Sequence, residues 1–170
     1  IVLASKQRFG GDAYCIEDIQ RKPETYDQFI TKILGISRIV TRFTAENERV
    51  GVLLPNAIGS MATVLALNLT KRVSALLNYT AGVDGMSAAI TAAEVKTILT
   101  SRIFLDKGKL DYLVGAFPEI NWVYAEDLRK QITNEDKLWV LKAKFMPKKY
   151  LPKPNPDDEA VVLFTSGSEG

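Results

Sequence analysis

Residues 49–78, RVGVLLPNAIGSMATVLALNLTKRVSALLN, contain the pattern that decides the predicted fold. A short apolar run over 49–54 is ended by Pro55, and Asn56 is of a residue type that commonly caps the start of a helix. A second apolar run begins at residue 73, so the stretch predicts a strand, a crossover helix and a parallel strand. The apolar positions on one side of the predicted helix are Ile58, Met61, Ala62, Leu65 and Leu69.

The same alternation of apolar runs and helical patterns continues along the chain. Further strands are predicted at KTILTS (96–101), INWVYAED (120–127) and AVVLF (160–164). Helices are predicted between them, over 86–95, 107–117 and 134–145. Strands separated by helices imply an α/β fold, in which a mainly parallel sheet carries helices on both faces.

The N-terminal part has a different pattern. AYCIED (13–18) and ETYDQF (24–29) flank a charged turn at Arg21, Lys22 and Pro23. This arrangement predicts a β-hairpin that leads into a helix from about Tyr26.

The composition limits the possible functions. Of 170 residues, 46% are hydrophobic and 25% charged, and the net charge of +2 is too small to indicate nucleic-acid binding. With no histidine in the sequence, the chain contains no Ser-His triad and no histidine-ligated metal site. The single cysteine, Cys15, is expected to be a small buried hydrophobe in a strand. Neither a transmembrane helix nor a signal peptide is predicted, and both ends of the chain are expected to be cut.

The last predicted strand runs directly into TSGSEG, residues 165–170. Hydroxyl side chains in this loop can donate hydrogen bonds, and its glycines allow consecutive N–H groups to point inward, a geometry that binds phosphate oxygens. Ligands of such sheets bind at the carboxyl ends of the strands. A simple turn is the alternative, and Glu169 would repel a polyphosphate unless it faces away or reaches a bound magnesium ion. The residues proposed to bind are Thr165, Ser166, Gly167, Ser168 and Gly170.

The sequence LFTSGSEG resembles the phosphate-binding loop of the adenylate-forming superfamily, which includes acyl-CoA synthetases, luciferases and peptide-synthetase adenylation domains. In that family the loop continues with a proline and a lysine. Longer blocks narrow the resemblance: CIED, RVGVLLPN, residues 76–110, WVYAEDL and DKLWVL are similar to the synthetase half of the bifunctional bacterial 2-acylglycerophosphoethanolamine acyltransferase/acyl-[acyl carrier protein] synthetases.

The resemblance implies a two-step ligation. A fatty acid carboxylate attacks the α-phosphorus of ATP, giving an acyl-adenylate and pyrophosphate, and the phosphopantetheine thiol of acyl carrier protein then displaces AMP. An acyltransferase half would pass the acyl group to a lysophospholipid. Magnesium would bridge the phosphates. The residues implied to hold the ATP phosphates are Thr165, Ser166, Gly167, Ser168, Glu169 and Gly170, and neither a catalytic residue nor a metal ligand is assigned within the chain.

The resemblance also implies that residues 1–170 are an incomplete N-terminal lobe, with a proline-rich connector over about 147–158. The remaining lobe and a small C-terminal domain with a catalytic lysine would follow, so the chain alone is expected to be inactive. The parent protein is expected to associate with the bacterial inner membrane, and this part to be soluble on its cytoplasmic side.

Two alternatives remain open at this point. A non-catalytic α/β nucleotide-binding or scaffold module would keep the shape of the loop without the chemistry. A nicotinamide-dependent enzyme is disfavoured, because LLPNAIGS has only one glycine where the dinucleotide fingerprint needs three.

Lysines are frequent over residues 137–153 and could attract an acidic partner such as acyl carrier protein, or anionic lipid headgroups. The favoured interpretation is an amphipathic surface helix whose Leu138, Leu141 and Phe145 pack inward. Carboxylates elsewhere show no spacing typical of an acid/base pair or a metal site, and are expected to be solvated or capping. They are Asp106, Asp111, Glu126 and Asp127.

Overall fold

The computed structural model describes residues 2–153 and 155–164. The strands are β1 (Tyr14–Ile16), β2 (Glu24–Thr25), β3 (Arg49–Val52), β4 (Val73–Leu76), β5 (Thr97–Thr100), β6 (Asn121–Tyr124) and β7 (Val161–Leu163). The helices are α1 (Val2–Phe9), α2 (Tyr26–Val40), α3 (Ile58–Leu69), α4 (Gly82–Ala92), α5 (Arg102–Gly108), α6 (Tyr112–Ala116), α7 (Ala125–Lys130), α8 (Asn134–Phe145) and α9 (Pro147–Tyr150).

A five-stranded parallel sheet in the order β6-β5-β3-β4-β7 forms the centre of the molecule. Because side chains alternate along a strand, Val50 and Val52 of β3 lie on one face with Val40 of α2 and Leu67 of α3. Leu53 lies on the other face, in a cluster with residues of α4, α5 and α6. Helices cover both faces, and the predicted α/β fold is confirmed.

The N-terminal hairpin is also confirmed: β1 and β2 pair antiparallel, and α2 begins directly after β2. Thr25 and Gln28 form a reciprocal capping box that fixes the start of α2. Cys15 lies in β1 as predicted but is only half-buried. Its burial, together with the nearby Glu24, raises the pKa of the thiol, which disfavours the reactive thiolate.

Asn56 does not cap α3, so that prediction is wrong. Ala57 holds the N-cap position and provides no side-chain hydrogen bond. Asp18, in the loop of the hairpin, takes over this role because its Oδ2 accepts a hydrogen bond from the Ile58 N–H at 3.2 Å. The start of α3 is therefore tied to the hairpin, 40 residues earlier in the chain.

Several boundaries differ from the predicted ones. The pattern predicts one helix over 107–117, but Lys109 adopts a left-handed conformation (φ 53°, ψ 43°) that ends α5 before α6 begins. The apolar pattern hides this break because Leu105, Leu110 and Leu113 all enter the same core cluster. The strand predicted over 120–127 ends at Tyr124, where α7 begins. The sequence pattern does not predict the helices α1, α7 and α9, and α9 lies within the proline-rich segment 147–158.

The predicted orientation of α8 is wrong. Leu138, Leu141 and Phe145 are exposed by 51%, 51% and 76%, whereas Val140 and Ala143 are buried against Ile30 and Leu34 of α2. No helix among residues 2–153 and 155–164 is long and apolar enough to cross a membrane.

Candidate functional site

A cleft of about 1250 Å³ opens at the carboxyl edge of the parallel sheet. This is the edge where ligands of such folds bind, because strand ends meet loops and helix N-termini there. The cleft lies between the hairpin loop, the segment that follows β3, the first turns of α3 and the loop that follows β4. Its lining residues are Ile16, Glu17, Asp18, Ile19, Arg21, Val52, Leu54, Asn56, Ala57, Ile58, Ser60, Met61, Val64, Leu76, Leu77, Asn78, Tyr79 and Thr80.

The lining of the cleft is largely apolar. Val52 and Leu76 come from the ends of two neighbouring strands, and Met61 and Val64 come from consecutive turns of α3. Met61 is half exposed although it is a large apolar side chain. Such a surface is suited to a hydrocarbon chain, because binding removes apolar area from water on both partners.

Asp18 fixes one wall of the cleft. Its Oδ1 accepts a hydrogen bond from the Gln20 N–H at 2.9 Å, and its Oδ2 accepts one from the Ile58 N–H. Oδ1 therefore orders the hairpin loop itself, and Oδ2 holds that loop against the start of α3. The role of Asp18 is positional, and its only sequence signal is its place at the end of CIED.

The loop after β4 forms another part of the lining. The Asn78 Oδ1 accepts hydrogen bonds from the N–H and the hydroxyl of Thr80, at 3.0 and 2.7 Å, which closes a one-turn 3₁₀ segment over Tyr79–Ala81. The Tyr79 ring packs edge-on against Phe104 at a centroid distance of 5.4 Å. Gly82 follows with φ +71°, a conformation that favours glycine. The sequence analysis predicts a turn here, and the structure adds that this turn lines the cleft.

The predicted phosphate-binding residues, Thr165 to Gly170, lie outside the described residues, and their assignment stays a prediction. What the structure describes is the strand before them. β7 pairs in parallel with β4, and the Asn68 side-chain amide donates to the Ala160 carbonyl at 2.6 Å. β7 therefore ends at the same edge of the sheet as β4, whose following loop lines the cleft.

The sequence analysis expects Glu126 to be either solvated or a helix cap, and the structure shows that it is a cap. Its carboxylate accepts hydrogen bonds from the Ser101 hydroxyl at 2.7 Å and from the N–H groups of Arg102 and Ile103. Burial by itself would raise the pKa of Glu126, but these hydrogen bonds outweigh it and lower the pKa. Glu126 is thus an ionised cap of α5 rather than a proton donor.

Asp127 lies beside this cap and forms an ion pair with Arg102, at 2.6 Å. The hydrogen bond from Arg102 lowers the pKa of Asp127. Arg102 also lies over the Tyr124 ring, 3.9 Å from its centre. The cluster joins the ends of β5 and β6 and leaves no carboxyl group with a raised pKa for acid catalysis.

The residues from 2 to 164 that the structure describes contain no group of three or more Cys, Asp or Glu side chains that could form a metal site. The carboxylates on the cleft are Glu17 and Asp18, and Asp18 is already engaged by two N–H groups.

The comparison with protein families identifies one match. Residues 4–170 match the family described as AMP-binding enzyme.

Several solved structures are similar to this chain in fold. The N-terminal domain of FACL13 from Mycobacterium tuberculosis shares 13% identity with a TM-score of 0.72, covering 97% of this chain and 41% of that one. A fatty acyl CoA synthetase from Mycobacterium tuberculosis shares 14% identity with a TM-score of 0.63, covering 76% and 26%. O-succinylbenzoate Coenzyme A synthetase (MenE) from Bacillus subtilis, in complex with AMP, shares 13% identity with a TM-score of 0.66, covering 100% and 40%.

At these identities the likeness shows the fold, which is that of the N-terminal subdomain of adenylate-forming enzymes. The chain spans less than half the length of each of these three proteins.

Proposed function

The chain belongs to the AMP-binding enzyme family, and on this premise we propose that it is part of an ATP-dependent fatty acid:acyl carrier protein ligase. The observation that carries the proposal is the apolar cleft at the carboxyl edge of the sheet, next to the strand that leads to TSGSEG. One end of such a site would hold the nucleotide, and the apolar surface would hold the acyl chain.

In this proposal the loop stabilises the charge that develops on the leaving pyrophosphate. Thr165, Ser166 and Ser168 would donate hydroxyl hydrogen bonds to the β- and γ-phosphates, and Gly167 and Gly170 would let backbone N–H groups approach the same oxygens. Donors that are already oriented toward developing charge lower the barrier of phosphoryl and nucleotidyl transfer most effectively. Magnesium would neutralise the phosphates, and Glu169 is the loop carboxylate that could reach it.

The size and surface of the cleft support an extended acyl substrate. Ligand pockets usually measure roughly 300–1000 Å³, and this cleft of about 1250 Å³ exceeds that range. With Leu54, Met61 and Val64 on its surface, it offers hydrocarbon contacts from the segment after β3 and from α3. Each methylene that is buried contributes about 0.8 kcal/mol, so a long chain would gain more than a short one.

The acyl acceptor and the pathway are also part of the proposal. Similarity of the blocks CIED and 76–110 to the bifunctional bacterial enzymes supports acyl carrier protein as the thiol partner and lysophospholipid reacylation as the purpose. This would place the parent protein at the bacterial inner membrane, with the described lobe on the cytoplasmic side. The isolated chain is expected to be inactive, because the family's catalytic lysine belongs to a separate C-terminal domain.

The test is ATP–pyrophosphate exchange by the full-length gene product with a long-chain fatty acid. Exchange that depends on the fatty acid supports the ligase. A well-folded full-length protein that exchanges nothing would favour the alternative, a non-catalytic nucleotide-binding or scaffold module.

Filling the cleft tests where the acyl chain binds. Met61→Trp adds bulk at the cleft surface, and we expect it to raise the KM for the fatty acid at least tenfold while the KM for ATP changes little. Ile132→Trp, an exposed apolar residue in the loop before α8, is the control. An unchanged KM for fatty acid in the Met61 variant would remove the acyl chain from this cleft.

A further inference from the structure

The helix α8 presents an apolar stripe to solvent. Leu138, Leu141 and Phe145 are spaced three and four residues apart, so they lie on one side of the helix. All three are more than half exposed. A long helix in a soluble domain normally turns its apolar side toward the core, and α8 does the opposite.

Ion pairs with α2 hold the helix in this orientation. Asp136, near the start of α8, is 2% exposed and accepts hydrogen bonds from Arg38 at 3.3 Å and from Arg42 at 2.5 Å. Near the end of α8, Lys144 lies 3.5 Å from Asp27 of α2. Because charged groups at both ends of the helix face α2, the leucine side must face away from it.

The inward side is complete without the leucines. Val140 and Ala143 pack on Ile30 and Leu34, and the Trp139 ring packs edge-on against Tyr150 at 6.4 Å. The Arg38 guanidinium lies over the Trp139 ring, 5.6 Å from the ring centre. The stripe therefore remains after the helix has satisfied its packing within the described part of the chain.

Lysines flank the stripe. At 100° per residue, Lys137 and Lys142 fall on opposite sides of Leu141, and Lys148 and Lys149 follow in α9. The two acidic residues of α8 lie at its start: Asp136 is buried against Arg42, and Glu135 lies in the first turn. An apolar strip with an exposed lysine on each side matches the profile of a helix that lies in the headgroup region of an anionic bilayer.

We propose that the surface formed by Leu138, Leu141 and Phe145 between Lys137 and Lys142, here called the α8 face, docks onto membranes that contain anionic lipids. The apolar side chains would enter the boundary between headgroups and acyl chains, and the lysines would pair with the headgroup charges. Charge complementarity supports this occupant, because exposed lysines on both sides of the apolar strip would meet anionic headgroups. The inference rests on the contacts of α8 and α2 and does not depend on ligase activity.

The test is sedimentation of the 170-residue chain with phosphatidylcholine vesicles, with or without phosphatidylglycerol. We expect binding only when phosphatidylglycerol is present, and weaker binding as salt is added. Absence of binding to phosphatidylglycerol vesicles at low salt, or binding that ignores salt, would overturn the proposal.

Two variants separate the contributions of the α8 face. Leu141→Ser with Phe145→Ser removes apolar contact, and Lys137→Glu with Lys142→Glu reverses charge. We expect each pair to weaken binding by about tenfold or more. Their side chains are exposed, so circular dichroism and thermal unfolding should remain those of the unchanged chain.

Each pair has a matched control. Val161→Ser with Leu163→Ser removes exposed apolar side chains from the edge strand β7 instead. Lys96→Glu with Lys107→Glu changes net charge by the same amount at exposed positions of other elements. Equal losses in a variant and its control would show a nonspecific effect and contradict the proposal. A chain that ignores vesicles but binds acyl carrier protein through Lys137 and Lys142 would assign the face to an acidic protein.

Discussion

Gly51, at the middle of the central strand β3, lies where neighbouring side chains leave no room for another one. A Cβ placed there would come within 2.8 Å of Ile98 Cγ1 and 2.9 Å of Leu77 Cδ1. We expect Gly51→Ala to lower the free energy of unfolding by about 1–3 kcal/mol, because the core must shift to accept the methyl group. Urea unfolding of the chain measures this change.

The control for that substitution is Gly35, in the middle of α2. A Cβ at Gly35 meets nothing within 4 Å, so Gly35→Ala should stabilise the chain by about 0.5–1 kcal/mol through better helix propensity. If the two glycines responded alike, the close packing around β3 would be refuted.

Asp136 is a buried carboxylate whose contribution to stability should depend on pH. Hydrogen bonds from Thr133 are the largest cause of its lowered pKa; burial opposes them, and Arg42 lowers the pKa further. Because the folded-state pKa is below the unfolded value of about 3.9, the stabilisation is complete above that value and is lost as the pH falls toward the folded-state pKa. We expect Asp136→Asn to cost about 2 kcal/mol at pH 7, from a weakened cap and lost charge-assisted hydrogen bonds.

The pH dependence distinguishes charge from shape. The difference in unfolding free energy between the original chain and the Asp136→Asn variant should shrink as the pH is lowered from 7 to 3, measured by urea unfolding. A difference of equal size at both pH values would mean that the ionised carboxylate has no special role.

At the scale of elements, the contact between the hairpin and α3 shapes the cleft. Asp18→Ala should cost about 1 kcal/mol, because the N–H of Ile58 loses its partner. Asp18→Asn has a single carbonyl oxygen and can replace only one of the two accepted hydrogen bonds, so its cost should be smaller. Differential scanning calorimetry can rank the variants.

The exposed residue Asp12 supplies the control, since Asp12→Ala removes the same charge from the N-terminal segment. If Asp12→Ala and Asp18→Ala destabilised equally, general charge effects would explain the result rather than the cap on α3.

Element boundaries show where sequence patterns lose information. Strands β3 to β7 follow from their apolar runs, because both faces of a parallel sheet are covered. The break at Lys109 cannot be predicted from apolar runs, since it depends on one left-handed residue inside a continuous apolar pattern. The outward face of α8 does not follow either, because its orientation is set by Arg38 and Arg42, about 100 residues earlier in the chain.

At the scale of the whole molecule, the sheet order explains how distant parts of the chain meet. β3 and β4 are neighbours through α3, and β7 returns to the free side of β4. Two contacts hold β7 in this position: a hydrogen bond from Asn68 to Ala160, and an ion pair between Arg49 and Glu159. The cleft and the end of β7 thereby come to one edge of the sheet.

The candidate site could be predicted from the sequence only in part. A run of serines, glycines and a threonine after an apolar strand has a local chemical meaning, so the loop at 165–170 can be proposed from its residues. The cleft has no such signal. It is lined by Ile19 of the hairpin loop, Met61 of α3 and Leu76 of β4, which look like ordinary core residues in the sequence.

The claim that the family's chemistry operates in this protein is tested most directly at the loop itself. The measurement is fatty-acid-dependent ATP–pyrophosphate exchange by the full-length gene product in which Thr165, Ser166 and Ser168 are all replaced by alanine. A matched variant replaces the exposed Ser87 and Thr91 of α4. We predict that exchange falls by about a hundredfold or more in the loop variant and persists in the matched one. Undiminished exchange in the loop variant would contradict the account.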